Sequence, residues 1–298
     1  MLSYKNCNLC GRACGVSRDS GEIGYCAAGC EPVAARAALH FWEEPPISGK
    51  RGSGAIFFSG CSLGCVFCQN AEISHGTVGK AMRAERLSSL CLSLEGQGAH
   101  NVNFVTPTHF MPSVKEAVAL ARARGLSIPI VYNTSAYDSA EALKEMEGTV
   151  DVYLPDFKYI RQDLAARYSG AENYPAVAKA AIAEMVHQQP RLEYDADGCL
   201  KRGVLVRLLV LPGAVANTKL SLRYLYEQYG DSVLYSIMRQ YTPRERLAPP
   251  LSRRVTDEEY EDVLSYALRL GMKNAFTQEK ESAQKAYTPP FETLEGII

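Results

Sequence analysis

From residue 51 onward the chain alternates short apolar runs with longer stretches in which apolar residues recur every three or four positions. The runs at 55–59, 101–106, 128–133, 150–156, 204–211 and 233–238 are rich in β-branched and aromatic residues and predict six buried strands. Between them, 84–97 carries leucines at helical spacing. Pro112 opens a helix over 113–124, closed by Gly125, and Asp138 is a candidate cap for 139–147, ended by Gly148. Helices are also predicted over 174–189 and over 218–229 with Asn217 as its cap. Thr256 with Glu259 spells a capping box for a last helix ending near Gly271.

Strands separated by helices predict an α/β fold with parallel pairing and right-handed crossovers. Six units can close partly into a barrel or lie open as a doubly wound sheet, and periodicity leaves both open. In either arrangement function gathers at the carboxyl ends of the strands. Residues 1–50 read as a Cys-rich metal-binding segment and linker, 51–272 as the main domain, and 273–298 as an irregular tail that can serve as a lid.

Composition changes this picture in one respect only. The 298 residues are 47% hydrophobic and 22% charged, with a net charge of −1, which exerts no general pull toward nucleic acid or an anionic membrane. No apolar run approaches the roughly 18–20 residues that cross a bilayer, and the first residues carry no apolar signal region. The expectation is a cytoplasmic protein. The exception is cysteine: eight of the ten fall within the first 68 positions. The reduced cytosol disfavours a disulfide framework, so clustered cysteines there point to metal or redox work. Cys91, on a leucine-lined helix face, reads as core; Cys199 stands alone, and His40, His75, His100 and His187 show no partners.

Cys61, Cys65 and Cys68 follow directly on the first predicted strand with the spacing C-x3-C-x2-C. One loop then supplies three thiolates to a [4Fe–4S] cluster and leaves the fourth iron without a protein ligand, an open site able to chelate the amino and carboxylate groups of S-adenosylmethionine. Zinc or chance spacing is the competing reading; the strand before the loop and Phe67 within it speak against both. Cys7, Cys10, Cys14 and Cys26 form a second group, enough for a closed site holding either zinc or an auxiliary iron–sulfur cluster, with Cys30 spare or a rival to Cys26. Its C-x2-C-x3-C is the first spacing reversed, but turn residues rather than a strand flank it.

On these residues the chain resembles the radical SAM superfamily, in particular the branch of the pyruvate formate-lyase activating enzymes, including a subgroup with a Cys-rich N-terminus. The resemblance implies a partial (βα)6 TIM-like barrel. Where the family has Gly-Gly-Glu, this chain has Thr106, Pro107, Thr108 and His109. Where activases have Asp-Thr-Asn-Gly, it has Asn133 and Thr134. Asp156 and Lys158 match an Asp-x-Lys whose lysine pairs with substrate carboxylate, Arg207 matches an arginine-bearing strand ending in Pro-Gly, and Met238 and Gln240 fall where the family contacts adenosine. Phe67 is placed beside the adenine. Physically, Lys158 and Arg207 interrupt apolar strands, and each needs an anionic partner. A bound carboxylate is one; Asp156 for Lys158 and Asp151 for Arg207 are the internal alternatives.

The resemblance implies reductive cleavage of S-adenosylmethionine and hydrogen abstraction by the 5′-deoxyadenosyl radical. A flavodoxin or ferredoxin would supply the electron under anaerobic conditions, and a glycyl radical enzyme or another protein would be the substrate. Radical modification of a small molecule, peptide or RNA is the rival within enzymes. An iron–sulfur electron carrier or zinc-stapled binding protein without this chemistry is the rival outside them.

Overall fold

The computed structural model describes residues 2–75, 78–278, 289–291 and 293–297. Its strands are β1 (Val33–His40), β2 (Ser53–Phe58), β3 (Lys80–Ala81), β4 (Val102–Val105), β5 (Ile130–Thr134), β6 (Val152–Pro155), β7 (Glu193–Tyr194), β8 (Leu200–Leu209), β9 (Leu234–Met238) and β10 (Ala275–Thr277). The helices are α1 (Pro45–Ser48), α2 (Ala71–Ser74), α3 (Ala84–Gly96), α4 (Met111–Ala123), α5 (Ala140–Lys144), α6 (Gln162–Ser169), α7 (Tyr174–Gln188), α8 (Val215–Tyr229) and α9 (Asp257–Arg269).

All six predicted strands form. They lie in one sheet ordered β10-β9-β8-β6-β5-β4-β2-β1-β3. Neighbours from β2 through β10 pair in parallel, while β1 runs antiparallel to β2 and β3 to β1. The parallel strands succeed one another in chain order without reversal. A doubly wound sheet needs a reversal at its switch point, so the sheet is singly wound, as a partial barrel is. Strands β2, β4, β5, β6 and β9 are buried along their whole length, which explains their continuous apolar runs.

Residues 33–40, expected within a linker, instead form β1. Their sequence, rich in alanine and interrupted by Arg36, carries little intrinsic strand preference; pairing along β2 from Ala34–Phe58 to His40–Ser53 overrides it. Two predicted caps also move. Ser139, not Asp138, caps α5, its hydroxyl accepting from Ala142 N–H at 3.4 Å. Asp138 is fully buried and accepts from Tyr132 Oη at 2.8 Å and Thr134 Oγ1 at 2.6 Å. Asn217 lies inside α8, where its Oδ1 accepts from Ile160 and Arg161 N–H (3.0 and 3.2 Å) and its Nδ2 donates to the Lys158 carbonyl at 3.1 Å. Rather than starting a helix, it ties down the loop that leaves β6. The capping box of Thr256 and Glu259 forms as expected, and Cys91 is core. The tail proposed as a lid lies mostly outside the described residues; Phe291 within it packs edge-on to Phe57 with ring centroids 5.3 Å apart.

The connection after β4 turns inward. Thr106, β-branched, adopts φ of +60°, a left-handed conformation that such residues rarely take and that occurs most often at functional turns. Beyond it, Thr108 and His109 are buried in a single 3-10 turn. Thr108 Oγ1 lies 3.2 Å from Thr134 Oγ1, and His109 Nε2 donates to the Ser59 carbonyl at 2.8 Å, holding the end of β2. Burial depresses the His109 imidazole to about 4. Because the unfolded imidazole titrates near 6.5, the unfolded chain takes up a proton that the folded chain refuses between those values. Stability is therefore complete above pH 6.5 and falls as the pH drops toward 4, by up to about 3 kcal/mol. His109→Gln retains a donor for Ser59 and removes this titration. Urea unfolding of the variant at pH 7, 5.5 and 4.5 is expected to show a flatter decline than the parent; parallel declines would refute the assignment.

Candidate active site

The carboxyl ends of the strands surround a cleft of about 600 Å³. The loop after β2 supplies Cys61, Cys65, Phe67 and Cys68 to its wall. Thr106 comes from the end of β4, Asn133 and Thr134 from β5, Asp156 and Lys158 from the end of β6, Arg207 from β8, and Met238 and Gln240 from the end of β9. Fourteen sequence positions were nominated for the cluster and its ligand, and twelve of these meet here; Thr108 and His109, turned behind the sheet end by Thr106, do not line the cleft.

Burial pushes the Cys61 thiol up to about 12, with Cys68 and Cys65 adding to the effect, so the three sulfurs lie near enough to feel one another's charge. Such a set is stable as thiolates only around a cation. The surroundings suit sulfur ligands. Leu63 N–H donates to Cys61 Sγ at 3.4 Å and Ser169 Oγ to Cys65 Sγ at 3.2 Å, the kind of hydrogen bonds that tune an iron–sulfur cluster. Burial also raises Cys65, and Lys158 opposes that rise. Three thiols facing an open cleft, with the remaining wall free of cysteine, fit a cluster with one iron left for a small molecule. Phe67 is buried edge-on against Tyr159, Tyr168 and Tyr241, so its first role is to anchor the loop.

The same cleft is lined by a buried ion network. Arg207 donates from Nε to Asp156 Oδ1 at 2.6 Å, from Nη1 to Glu43 Oε2 at 2.9 Å and from Nη2 to Asn133 Oδ1 at 2.7 Å. Lys158 Nζ donates to the other oxygen of Asp156 at 2.8 Å, and Asn133 Nδ2 to Glu43 Oε1 at 3.1 Å. Burial alone would raise Asp156, but Arg207 and then Lys158 outweigh it and hold the carboxyl below its usual value. The expected Asp156–Lys158 pair is present. Asp151 is engaged instead by Arg122 at 2.8 Å, so Arg207 takes its anions from Asp156 and Glu43.

Sequence reasoning missed Glu43 and Glu44, which the β1–α1 connection delivers to the cleft. A signal was present: two adjacent acids between Phe41-Trp42 and Pro45-Pro46, in a chain with an arginine inside a strand awaiting a partner. Burial raises the Glu44 carboxyl to about 7 against the pull of Arg207. Phe41 and Trp42 line the same cleft while remaining more than half exposed.

The N-terminal cysteines sit beside this cleft. Cys10 pairs with Asp138, Gly11 N–H donates to the Tyr137 carbonyl and Ser139 N–H to the Leu9 carbonyl, both at 3.0 Å, so the segment docks on the loop after β5. Burial pushes the Cys10 thiol up to about 12, with Cys26, Cys7 and Asp138 adding to it. Cys30 is part-buried nearby. Elsewhere, Cys199, read as solitary, lies with His100 and Asp195 at the amino ends of β8 and β4, their ligand atoms within 4.8 Å of one another. The Arg51 guanidinium already fills that place, 2.9 Å from His100 Nδ1.

The family model described as Radical SAM superfamily matches residues 55–188. An uncharacterized protein of Methanocaldococcus jannaschii is 28% identical over 275 residues, covering 89% of this chain and 75% of its own. Among solved structures, Streptococcus suis SuiB bound to S-adenosylmethionine aligns with a TM-score of 0.50 at 12% identity, over 74% of this chain. The chain spans about half of SuiB, 48% of its length. A domain of a pyruvate-formate lyase-activating enzyme from Bacteroides vulgatus aligns at 0.42 and 15% identity, over 61% of this chain and 100% of its own. No described helix is long and apolar enough to cross a membrane. Residues 55–188, which match that model, open on the strand that presents Cys61, Cys65 and Cys68.

Proposed function

We propose that the chain is a radical SAM oxidoreductase whose three-cysteine loop and ion network act on one bound S-adenosylmethionine. The observation that carries this reading is convergence: one cleft is lined both by a three-thiol loop and by Asp156, Lys158 and Arg207. A [4Fe–4S] cluster held by Cys61, Cys65 and Cys68 would supply the electron that splits S-adenosylmethionine into methionine and a 5′-deoxyadenosyl radical.

The chain's own residues divide the remaining work. Lys158 keeps two N–H donors beyond its bond to Asp156 and stands near Cys65, placed to receive a carboxylate. Arg207, committed to Asp156, Glu43 and Asn133, orients the network rather than meeting a ligand. Met238 and Gln240 offer the adenosine side a thioether and an amide. Thr106 offers its hydroxyl to the methionyl end, while Asn133 and Thr134, bonded to Arg207, Glu43 and Asp138, shape the wall beside it.

For the substrate, the reading nearest the resemblance is hydrogen abstraction from a glycine Cα of a partner glycyl radical enzyme. The half-exposed Phe41 and Trp42 at the cleft favour a protein or peptide segment over a small molecule or RNA. The same reading includes a flavodoxin or ferredoxin as donor, anaerobic work in the cytoplasm, a metal bound by Cys7, Cys10, Cys14 and Cys26, and division into segments 1–50, 51–272 and 273–298.

Anaerobic reconstitution, reduction and assay of 5′-deoxyadenosine test the central claim. A cluster-bearing, reduced protein that never cleaves S-adenosylmethionine would sink it, leaving the electron-carrier alternative. Cys65→Ala is expected to abolish 5′-deoxyadenosine formation and the absorbance of this cluster while metal on the N-terminal cysteines persists. Asp156→Asn strips the shared anion from two buried cations, so it is expected to cost about 3–5 kcal/mol in urea unfolding and to depress cleavage in proportion to lost binding. A stability loss under about 1 kcal/mol would mean that the network is not the anchor described.

A further inference from the structure

The four N-terminal cysteines converge, and the contacts that gather them are specific. Gly15 N–H donates to the Cys7 carbonyl at 3.0 Å and Cys7 N–H to the Val16 carbonyl at 2.9 Å, folding a hairpin that lays Cys7 beside Cys14. Ala13 N–H closes a turn on the Cys10 carbonyl at 3.0 Å. The loop bearing Cys26 packs on this hairpin so tightly that a Cβ on Gly24 would stand 2.8 Å from Cys14 Sγ. Arg18, wholly buried, reaches Cys7 Sγ at 3.9 Å and donates from Nε to the Ala28 carbonyl at 3.0 Å, binding the two ends of the set together. Left-handed backbone at Asn6, Ala13, Gly15 and Ala27 adjoins three of the four cysteines. Alanine gains nothing from that conformation, so something at the cysteines holds it.

The spacing of the sulfurs then bears on what they hold. Four thiolates on one zinc at about 2.3 Å stand about 3.8 Å apart. Among the described residues, the group of three or more ligand side chains gathered within 4.8 Å is His100, Asp195 and Cys199, and no three of these cysteines meet that limit. The same is true of Cys61, Cys65 and Cys68. Both sets are gathered yet spread, as thiolates are when each binds its own iron of a cluster.

We infer that Cys7, Cys10, Cys14 and Cys26 hold a second iron–sulfur cluster, closed by four thiolates, that braces the three-cysteine loop through Arg12. The inference rests on the reading of these cysteines as a metal site and replaces its zinc alternative. Arg12 lies between Cys10 and Cys14. Its Nε donates to the Ser62 carbonyl at 2.9 Å, and its Nη2 to the carbonyls of Leu63 (2.9 Å) and Ser169 (2.8 Å). The guanidinium stacks 3.6 Å above the Tyr25 ring. Ser62 and Leu63 sit between Cys61 and Cys65, and Ser169 is the donor to Cys65 Sγ. On the other flank, the Cys26 carbonyl fills the space beside Gly60, where a Cβ would come within 2.5 Å of it. Fixing the N-terminal hairpin on a cluster thus fixes the frame of the neighbouring thiol loop.

The test uses the full chain with Cys61, Cys65 and Cys68 all replaced by alanine, reconstituted without air with iron and sulfide. About four irons and four sulfides per chain, with a reduced-state electron paramagnetic resonance signal that S-adenosylmethionine does not alter, are expected; about one zinc and no iron would overturn the inference. Because the triple variant can fail to fold, Cys14→Ser, at an exposed position, is the companion. Its iron is expected to drop from about eight to about four while S-adenosylmethionine still perturbs the remaining signal. Iron unchanged in Cys14→Ser would equally defeat the second site. If instead the triple variant keeps all the parent's iron, it is the three-cysteine loop whose reading fails. Arg12→Lys, which keeps charge but loses the fork that spans the carbonyls of Ser62, Leu63, Ser169 and Gly170, is expected to leave both iron counts intact. It should shift the midpoint potential of the S-adenosylmethionine-responsive signal and slow cleavage about tenfold. An unchanged potential with unchanged cleavage would remove Arg12 from the proposal.

Discussion

The site depends on one carboxylate shared by two cations. Asp156 ends β6, and its two oxygens divide between Arg207 of β8 at 2.6 Å and Lys158 at 2.8 Å. Buried charges at these positions would each cost several kcal/mol alone, so the pairs hold the carboxyl ends of the two strands in one register. Through Arg207 the same network reaches Asn133 on β5 and Glu43 from the far antiparallel edge. Four separate parts of the sheet are thereby referred to one carboxylate, in the cleft that the thiol loop also lines.

The thiol loop has its own frame, and it is built from the opposite direction. Its preceding strand, β2, is wholly buried; His109 holds the residue after it, Ser59, and Arg12 of the N-terminal segment holds the loop itself at Ser62 and Leu63. Where the resembled family has Gly-Gly-Glu, this chain sets Thr106 in a left-handed turn, and the histidine that follows holds the backbone of Ser59. A polar residue at a motif position can thus be structural.

What could be read from the chain follows from how local the cause was. The six strands declare themselves because five are buried on both faces and the sixth, β8, is buried over most of its apolar run, so they need no partner to look apolar. The three-cysteine loop declares itself because its ligands are all within eight residues. Strand β1 did not, because its alanines become extended only by pairing with β2. Asn217 looked like a cap because caps and loop tethers use the same amide; only the fold shows that its partners are Ile160 and Arg161. Glu43 was missed because its partner Arg207 lies 164 residues away, so the adjacent acids and the aromatic pair beside them gave a signal that only the fold connects to that arginine.

Charge balance sets what the cleft accepts. Arg207 and Lys158 face Asp156 and Glu43, two cations against two carboxylates, so the set is neutral and its internal bonds are nearly complete. A neutral, satisfied wall does not attract a bare anion strongly, but it can meet a ligand that carries both signs, offering Lys158 to its carboxylate and the acids to its ammonium. Glu44 is the adjustable member. Its carboxyl titrates near 7 because burial resists the charge that Arg207 favours. Its ionisation would add one negative charge beside a network already balanced, strengthening the hold on a cationic group and weakening it on an anionic one. The cleft is therefore least selective by charge where Glu44 is protonated, and the geometry of donors and acceptors, rather than net attraction, decides what it binds.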